Sequence, residues 1–195
     1  MKKIVLAAIL AGVSSMAAAE GWYLQGDAGY SKLTAKESGR SFKDNSPTAR
    51  IAVGKDTGNL RYAVDYTYFG QLENQETSTN AYHKAEVSAH SVGVSAIYDF
   101  HNQSALTPYA GVRIGLNYLN LDAEEERTTA VSRSHISKSE SNTRLGAGAV
   151  LGAQYQFTDK LALNTGVEYN YLGKIGSQSA KVHQYGANLG VRYNF

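Results

Sequence analysis

The chain of 195 residues has no cysteine, two prolines and a single tryptophan. Without cysteine there is no disulfide, no thiolate zinc site and no cysteine nucleophile, so an exported domain of this sequence must be held by its core or by its solvent. No stretch beyond the N-terminal region reaches the roughly eighteen consecutive apolar residues of a spanning helix, and the mean hydropathy is -0.35. Almost no window keeps the i, i+3, i+4, i+7 spacing of an amphipathic helix.

The one compact apolar run stands at the start. Lys2 and Lys3 precede an apolar core at residues 4–13 and the triplet Ala17, Ala18, Ala19, the three parts of a secretory signal peptide. Residues 1–19 are expected to be that peptide, with the mature chain beginning at Glu20; an N-terminal core helix is the alternative. Without the two lysines the 19 basic residues become 17 against 17 acidic ones, and the formal charge goes from +2 to 0. On net charge, no polybasic binding to nucleic acid or to anionic lipid is expected.

Alternation is what the chain has in quantity. Residues 22–30 put Trp22, Leu24, Gly26, Ala28 and Tyr30 on one parity and Tyr23, Gln25, Asp27 and Gly29 on the other, the period of a strand with one apolar face. Seven more such runs follow at about residues 49–54, 60–69, 92–100, 106–118, 143–157, 161–171 and 185–195. Short turns at 56–59 (DTGN), 101–104 (HNQS) and 158–160 (TDK) alternate with long polar segments at about 32–46, 70–89, 122–141 and 173–183. Short connections at one end and long ones at the other are the plan of an outer-membrane barrel. The expected fold is all-β: an eight-stranded antiparallel transmembrane β-barrel over residues 20–195, with short periplasmic turns and four longer extracellular loops whose composition is typical of mobile surface segments.

Charge placement supports that reading. About 45 positions lie on the apolar parity; at the chain-wide charged fraction of 18% roughly eight would be charged, and none is. Asp27, Arg50, Arg61, Asp65, Asp99, Arg113, Arg144, Glu168 and Arg192 all share the other parity. A charge against hydrocarbon costs about 2 to 4 kcal/mol at the midplane, so a barrel requires this separation. A soluble sandwich would alternate in the same way with its faces reversed. The aromatics argue for lipid: Trp22, Tyr62, Tyr98, Phe100, Tyr155, Phe157, Tyr193 and Phe195 gather at the short-turn ends, and Tyr30, Tyr66, Tyr68, Tyr118, Tyr169, Tyr171 and Tyr185 at the other. Two such belts fit the two headgroup levels.

Side chains just fill the interior of an eight-stranded barrel. The five inward arginines and four acids are therefore expected to form a hydrogen-bonded ionic network, with a narrow, porin-like polar conduit as the alternative. Small inward residues such as Gly111, Gly115, Gly146, Gly148, Gly152 and Gly190 leave room for the arginines. Catalysis would need a nucleophile and base on one face. His90 and Ser91 point to opposite faces, Ser134 and His135 fall in a polar segment, and His83, His101 and His183 are scattered. No zinc, phosphate-loop or calcium-loop spacing occurs. No enzymatic activity, cofactor or metal is expected.

The polar segments divide by charge. The first carries Lys32, Lys36, Arg40 and Lys43 with Glu37 and Asp44, a modestly basic tip; the third opens on Asp122, Glu124, Glu125 and Glu126 and turns to Arg127, Arg133 and Lys138. The second and third are expected to form a composite adhesive surface, with plain solvation as the alternative.

LRYAVDYTYF (60–69), SVGVSAIYDF (91–100), TPYAGVRIGLN (107–117), EYNYLGK (168–174) and the closing LGVRYNF resemble the strands of the neisserial opacity protein and surface protein A family, in order and at matching spacing. The resemblance implies an outer-membrane barrel acting in adhesion or surface recognition, with a passive structural barrel or, less favoured, a lipid A-modifying enzyme as alternatives. It also implies that the opacity proteins' loops, chiefly the second and third, bind carcinoembryonic-antigen-type receptors or heparan sulfate. No single binding residue transfers. The terminal Tyr193 and Phe195 are expected to be an assembly signal read by the barrel-assembly machinery. Expected partners are outer-membrane lipid, that machinery, and a host receptor or extracellular-matrix ligand; nucleic acid is not expected, and the barrel is expected to act as a monomer.

Overall fold

The computed structural model describes the backbone of residues 21–37, 40–78, 81–129, 132–175 and 180–195, and the side chains over 21–34, 43–71, 88–120, 141–174 and 181–195. The expected signal peptide lies outside the described residues. The elements are β1 (Trp22–Glu37), β2 (Arg40–Asp56), β3 (Leu60–Ser78), β4 (Ala81–Asp99), β5 (Leu106–Thr129), β6 (Ser132–Thr158), β7 (Leu161–Ile175) and β8 (Ala180–Asn194). They close in chain order into one antiparallel barrel, with β1 paired to both β2 and β8. Closure pairs the backbone of every strand on both sides, which hydrocarbon demands. The Phe195 N–H donates to the Trp22 carbonyl at 3.0 Å, so the last residue seals the seam.

Alternation sets the faces. Val112 is 61% and Leu145 66% exposed on the outer surface, while Asp65 and Arg113 inside are 4% and 7% exposed. The turns at the short end are held locally: the Asp56 carboxylate accepts from the Gly58 N–H at 2.9 Å, and the Asn102 amide donates to the Leu106 carbonyl at 3.1 Å. β4, β6 and β8 each reach this end on Tyr-x-Phe. Tyr98 and Phe100, Tyr155 and Phe157, and Tyr193 and Phe195 meet edge to face with centroids 5.1, 5.0 and 5.3 Å apart, a favoured aromatic geometry.

At the other end the four longer segments are strand-paired well beyond the apolar pattern. The polar segments continue the strands as paired hairpins: β3–β4 pairing runs to Ser78↔Ala81, β4–β5 to Ala81↔Arg127 and β5–β6 to Thr129↔Ser132. Backbone ladders need no apolar side chains, so strand pairing outlasts the hydrophobic pattern that marks it in sequence. The β2–β3 register, however, ends at Ala49↔Tyr68 and the β6–β7 register at Ala147↔Tyr171. Beyond these points the wall divides into two four-stranded sheets, β3–β4–β5–β6 and β7–β8–β1–β2.

Both divisions are built alike. YTYFG (66–70) on β3 and YNYLG (169–173) on β7 each end in a register shift at a glycine with positive φ, 96° at Gly70 and 109° at Gly173. That conformation favours glycine, and a bulge bends its strand. Side-chain bonds span both seams: Ser46 Oγ accepts from the Gln71 N–H at 2.9 Å across one, and across the other Arg144 Nε donates to the Lys174 carbonyl at 2.9 Å and Asn117 Nδ2 to the Leu172 carbonyl at 3.1 Å.

Candidate functional site

Three layers fill the barrel interior. At the short-turn end, Arg61 meets Asp99 through two hydrogen bonds, Nε to Oδ2 at 2.6 Å and Nη2 to Oδ1 at 2.7 Å. Its guanidinium carbon lies 5.2 Å from the Tyr109 ring centroid and 6.0 Å from that of Tyr23, and Arg192 lies 5.3 Å from Tyr23 on the same level. Arg192 Nη1 stands 3.8 Å from Asp56 Oδ2, an ion pair too long for a hydrogen bond. Asp56, placed in a turn by its sequence, is thus the acid nearest Arg192.

The middle layer is a chain of four charges. Arg113 donates to Asp65 from Nε at 2.9 Å and from Nη2 at 2.6 Å. Arg50 Nε stands 3.8 Å from Asp65, and Arg50 Nη2 donates to Glu168 at 2.6 Å. Thr67 links them, accepting from Arg50 Nε at 2.9 Å and donating to Asp65 at 2.7 Å. Gln184 donates to Glu168 at 3.0 Å, and Asp27 receives two bonds from the Gln25 amide at 2.8 and 3.1 Å. A cavity of about 50 Å³ lies between the two layers, lined by Tyr23, Asp27, Arg61, Asp65, Arg113 and Glu168 among others. That volume suits a few waters, at roughly 10 to 15 Å³ each.

The expectation of one nine-member network therefore needs correction. The structure separates Arg61, Asp99, Arg192 and Asp56 from Arg113, Asp65, Arg50 and Glu168. It also removes Arg144, which is on the inward parity but exposed at the rim, where it spans the β6–β7 seam. Arg144 sits beyond the last β6–β7 register pair, so no closed wall encloses it.

The third layer is apolar. Leu33, Phe69, Ala89, Leu119, Leu172 and Val182, each at most 2% exposed, meet inside the barrel at the hairpin end. All follow the inward parity, and Phe69 and Leu172 are the fourth residues of the repeated YTYFG and YNYLG. Sequence reading missed this layer by treating inward positions as polar throughout; the repeated Tyr-x-Tyr-apolar-Gly was the available signal. The Arg113 guanidinium lies 5.6 Å from the Phe69 centroid, so the apolar layer rests directly on the ionic one. This apolar layer lies across the lumen where the alternative of a narrow conduit calls for polar lining.

The histidines fall apart, as their sequence positions suggest. His90 Nδ1 is hydrogen-bonded to the Tyr66 hydroxyl at 2.8 Å on the outer surface, while Ser91, buried on the opposite face, accepts from Arg113 Nη2 at 3.0 Å. His183 Nδ1 is hydrogen-bonded to the Tyr169 hydroxyl at 2.8 Å, the same arrangement on β7 and β8. His101 lies exposed in a short turn. The side chains of His83, Ser134 and His135 lie outside the described residues. The expected aromatic residues face outward, with Tyr62, Tyr66, Tyr98, Phe100, Tyr118, Tyr155, Phe157 and Tyr169 exposed and Trp22, Tyr68 and Tyr171 half-buried.

The family profile described as "Opacity family porin protein" matches residues 53–195, from the end of β2 to the terminal phenylalanine. The chain belongs to the opacity family. It is 34% identical over 143 residues to the protein opa of Haemophilus influenzae, covering 73% of this chain and 100% of that one. It is 28% identical over 198 residues to the opacity protein opA51 of Neisseria gonorrhoeae, covering 80% and 81%. The crystal structure of neisserial surface protein A superposes with a TM-score of 0.62 at 32% identity, covering 90% of this chain and 98% of that one. This opacity-family barrel is an outer-membrane protein.

Proposed function

We propose that this opacity-family barrel is an adhesin, a surface-recognition protein that presents its hairpins to the cell exterior and its short turns to the periplasm. The observation that carries the reading is the fusion of the second and third hairpins into one sheet. β4 and β5 stay in register from Asp99↔Tyr109 through to Ala81↔Arg127, so β3 to β6 rise together beyond the aromatic belt. The nine residues from Leu121 to Thr129 extend the sheet by about 30 Å at the rise of a strand. Paired hairpins are partly ordered before they meet a partner, so binding costs less conformational entropy than it would for open loops. Host receptors and extracellular-matrix ligands are the partner classes this surface fits.

Removing residues 123–139 should abolish attachment of expressing bacteria to host cells, while the heat-modifiable, folded form persists. Unchanged attachment would sink the part assigned to the third hairpin. The same reading assigns Tyr193 and Phe195 to assembly: the terminal strand presents an outward aromatic pair to machinery that recognises strands by edge addition. Deleting Phe195 removes the bond to Trp22 and should lower the yield of folded protein in the outer membrane severalfold. Equal yields on immunoblots of unheated samples would count against that role.

A further inference from the structure

The small formal charge of +2 hides a separation that only the fold creates. Just beyond the tyrosine belt, the exposed outward residues on β7, β8, β1 and β2 include Lys174, Lys181, Lys32 and Lys43. On β3 to β6 the corresponding row is neutral, with Gln71↔Ser88, Ser88↔Asn120 and Asn120↔Ser141 paired in register. Among the described residues, no aspartate or glutamate shares the outward face of β7, β8, β1 or β2.

Lys174 and Lys181 stand directly opposite each other, and like charges in that relation repel. An anion between them would remove the repulsion. Beneath them are Tyr171 and His183, with centroids 5.4 Å apart, and then Tyr169 and Tyr185 at 5.0 Å. Lower still, Ala187 is flanked in register by Tyr30 and Val167. The small residue between large ones opens a groove of about 620 Å³ on the lipid-facing surface, lined also by Lys32, Leu151, Tyr169 and Tyr185. Cations above, aromatic hydroxyls at headgroup depth and an apolar groove below form the order of an anionic lipid's own parts.

We propose that this face is a binding site for a phosphorylated, multiply acylated membrane lipid, with a phosphate between Lys174 and Lys181 and an acyl chain lying over Ala187. The lipid belongs to the leaflet on the hairpin side; the inference rests on the orientation proposed above only in making that the outer leaflet. Peptide or protein partners are disfavoured because the groove opens within the belt of residues that faces hydrocarbon.

Native mass spectrometry of the refolded protein released from detergent, titrated with bisphosphorylated lipid A, dephosphorylated lipid A or inorganic phosphate alone, tests the proposal. Lipid A should remain bound to the wild type, and neither the dephosphorylated lipid nor inorganic phosphate should match it. Lys174→Gln with Lys181→Gln should weaken binding by about thirtyfold, the combined effect expected of two cations at a membrane surface. Ala187→Leu, which fills the groove and leaves the lysines in place, should also weaken it. Lys55→Gln with Lys160→Gln, at the short-turn end, should leave it unchanged. Wild-type affinity in the Lys174/Lys181 or Ala187 variant, or equal retention of the dephosphorylated lipid, would overturn the proposal. Because the readout uses purified protein, its failure and the failure of hairpin-dependent attachment to host cells are separate results.

Discussion

Replacing Arg61 with leucine is expected to lower the unfolding free energy by about 3 to 5 kcal/mol, the usual cost of stranding a buried charge. Arg61 and Asp99 are each 1% exposed and meet through two short, parallel hydrogen bonds. Removing the guanidinium leaves the Asp99 carboxylate in the barrel interior with neither bond, while the rings of Tyr23 and Tyr109 lose the cation between them. The pair itself contributes much less than its rupture costs, since both ions gave up water to enter the interior. Arg61→Leu combined with Asp99→Leu should therefore recover most of the loss. Urea titrations in lipid vesicles, followed by the fluorescence of Trp22, measure both effects. A single variant within about 1 kcal/mol of wild type would show that the lost partner was replaced by solvent.

Phe69→Ala should cost a similar amount, about 3 to 5 kcal/mol for a large buried aromatic side chain. Phe69 is 0% exposed and bears on conduction as well as stability. It closes the hairpin end of the interior with Leu33, Leu119 and Leu172, while Arg113 and Asp65 close the level beneath. Planar-bilayer recordings should show no steady ohmic conductance for the wild type. They should show none for Phe69→Ala either, because removing the largest side chain of the apolar layer leaves the ionic one intact. A stable pore of porin size in the wild type would refute the closed interior, and an open pore in the variant would assign the whole barrier to the apolar layer.

These two layers were unequally legible in the sequence. Arg61 and Asp99 could be placed inside because lipid forbids charge on the outer parity. Their pairing could not, since it depends on which strands stand side by side and on the reach of each side chain across the lumen. Asp56 looked like a turn residue because it opens DTGN, yet its carboxylate lies 3.8 Å from Arg192. Arg144 shared the inward parity, but parity does not say where the wall stops being closed. Phe69, Leu119 and Leu172 were hidden by the opposite error: apolar residues on the inward parity break the binary rule that identifies a barrel. Their exposure to water is prevented by one another and by the ionic layer, a tertiary fact.

The polar segments show the same division. Composition marks them as water-exposed; it does not distinguish an open loop from a paired hairpin, because the ladder is made by backbone groups that every residue except proline can supply. The lysines are the clearest case. In sequence Lys32, Lys43, Lys174 and Lys181 are dispersed through a chain whose formal charge is only +2, and only closure of β1 against β8 puts them on four neighbouring strands.

What the sequence by itself determined was the strand count, the outward face and the class of solvent against that face, since alternation and the cost of charge in hydrocarbon act on each strand separately. The tertiary structure alone decided the pairing of charges, the apolar layer, the division into two sheets and the one-sided cations. Each of those depends on contacts between strands distant in the chain, where register and closure, not local pattern, set which side chains meet.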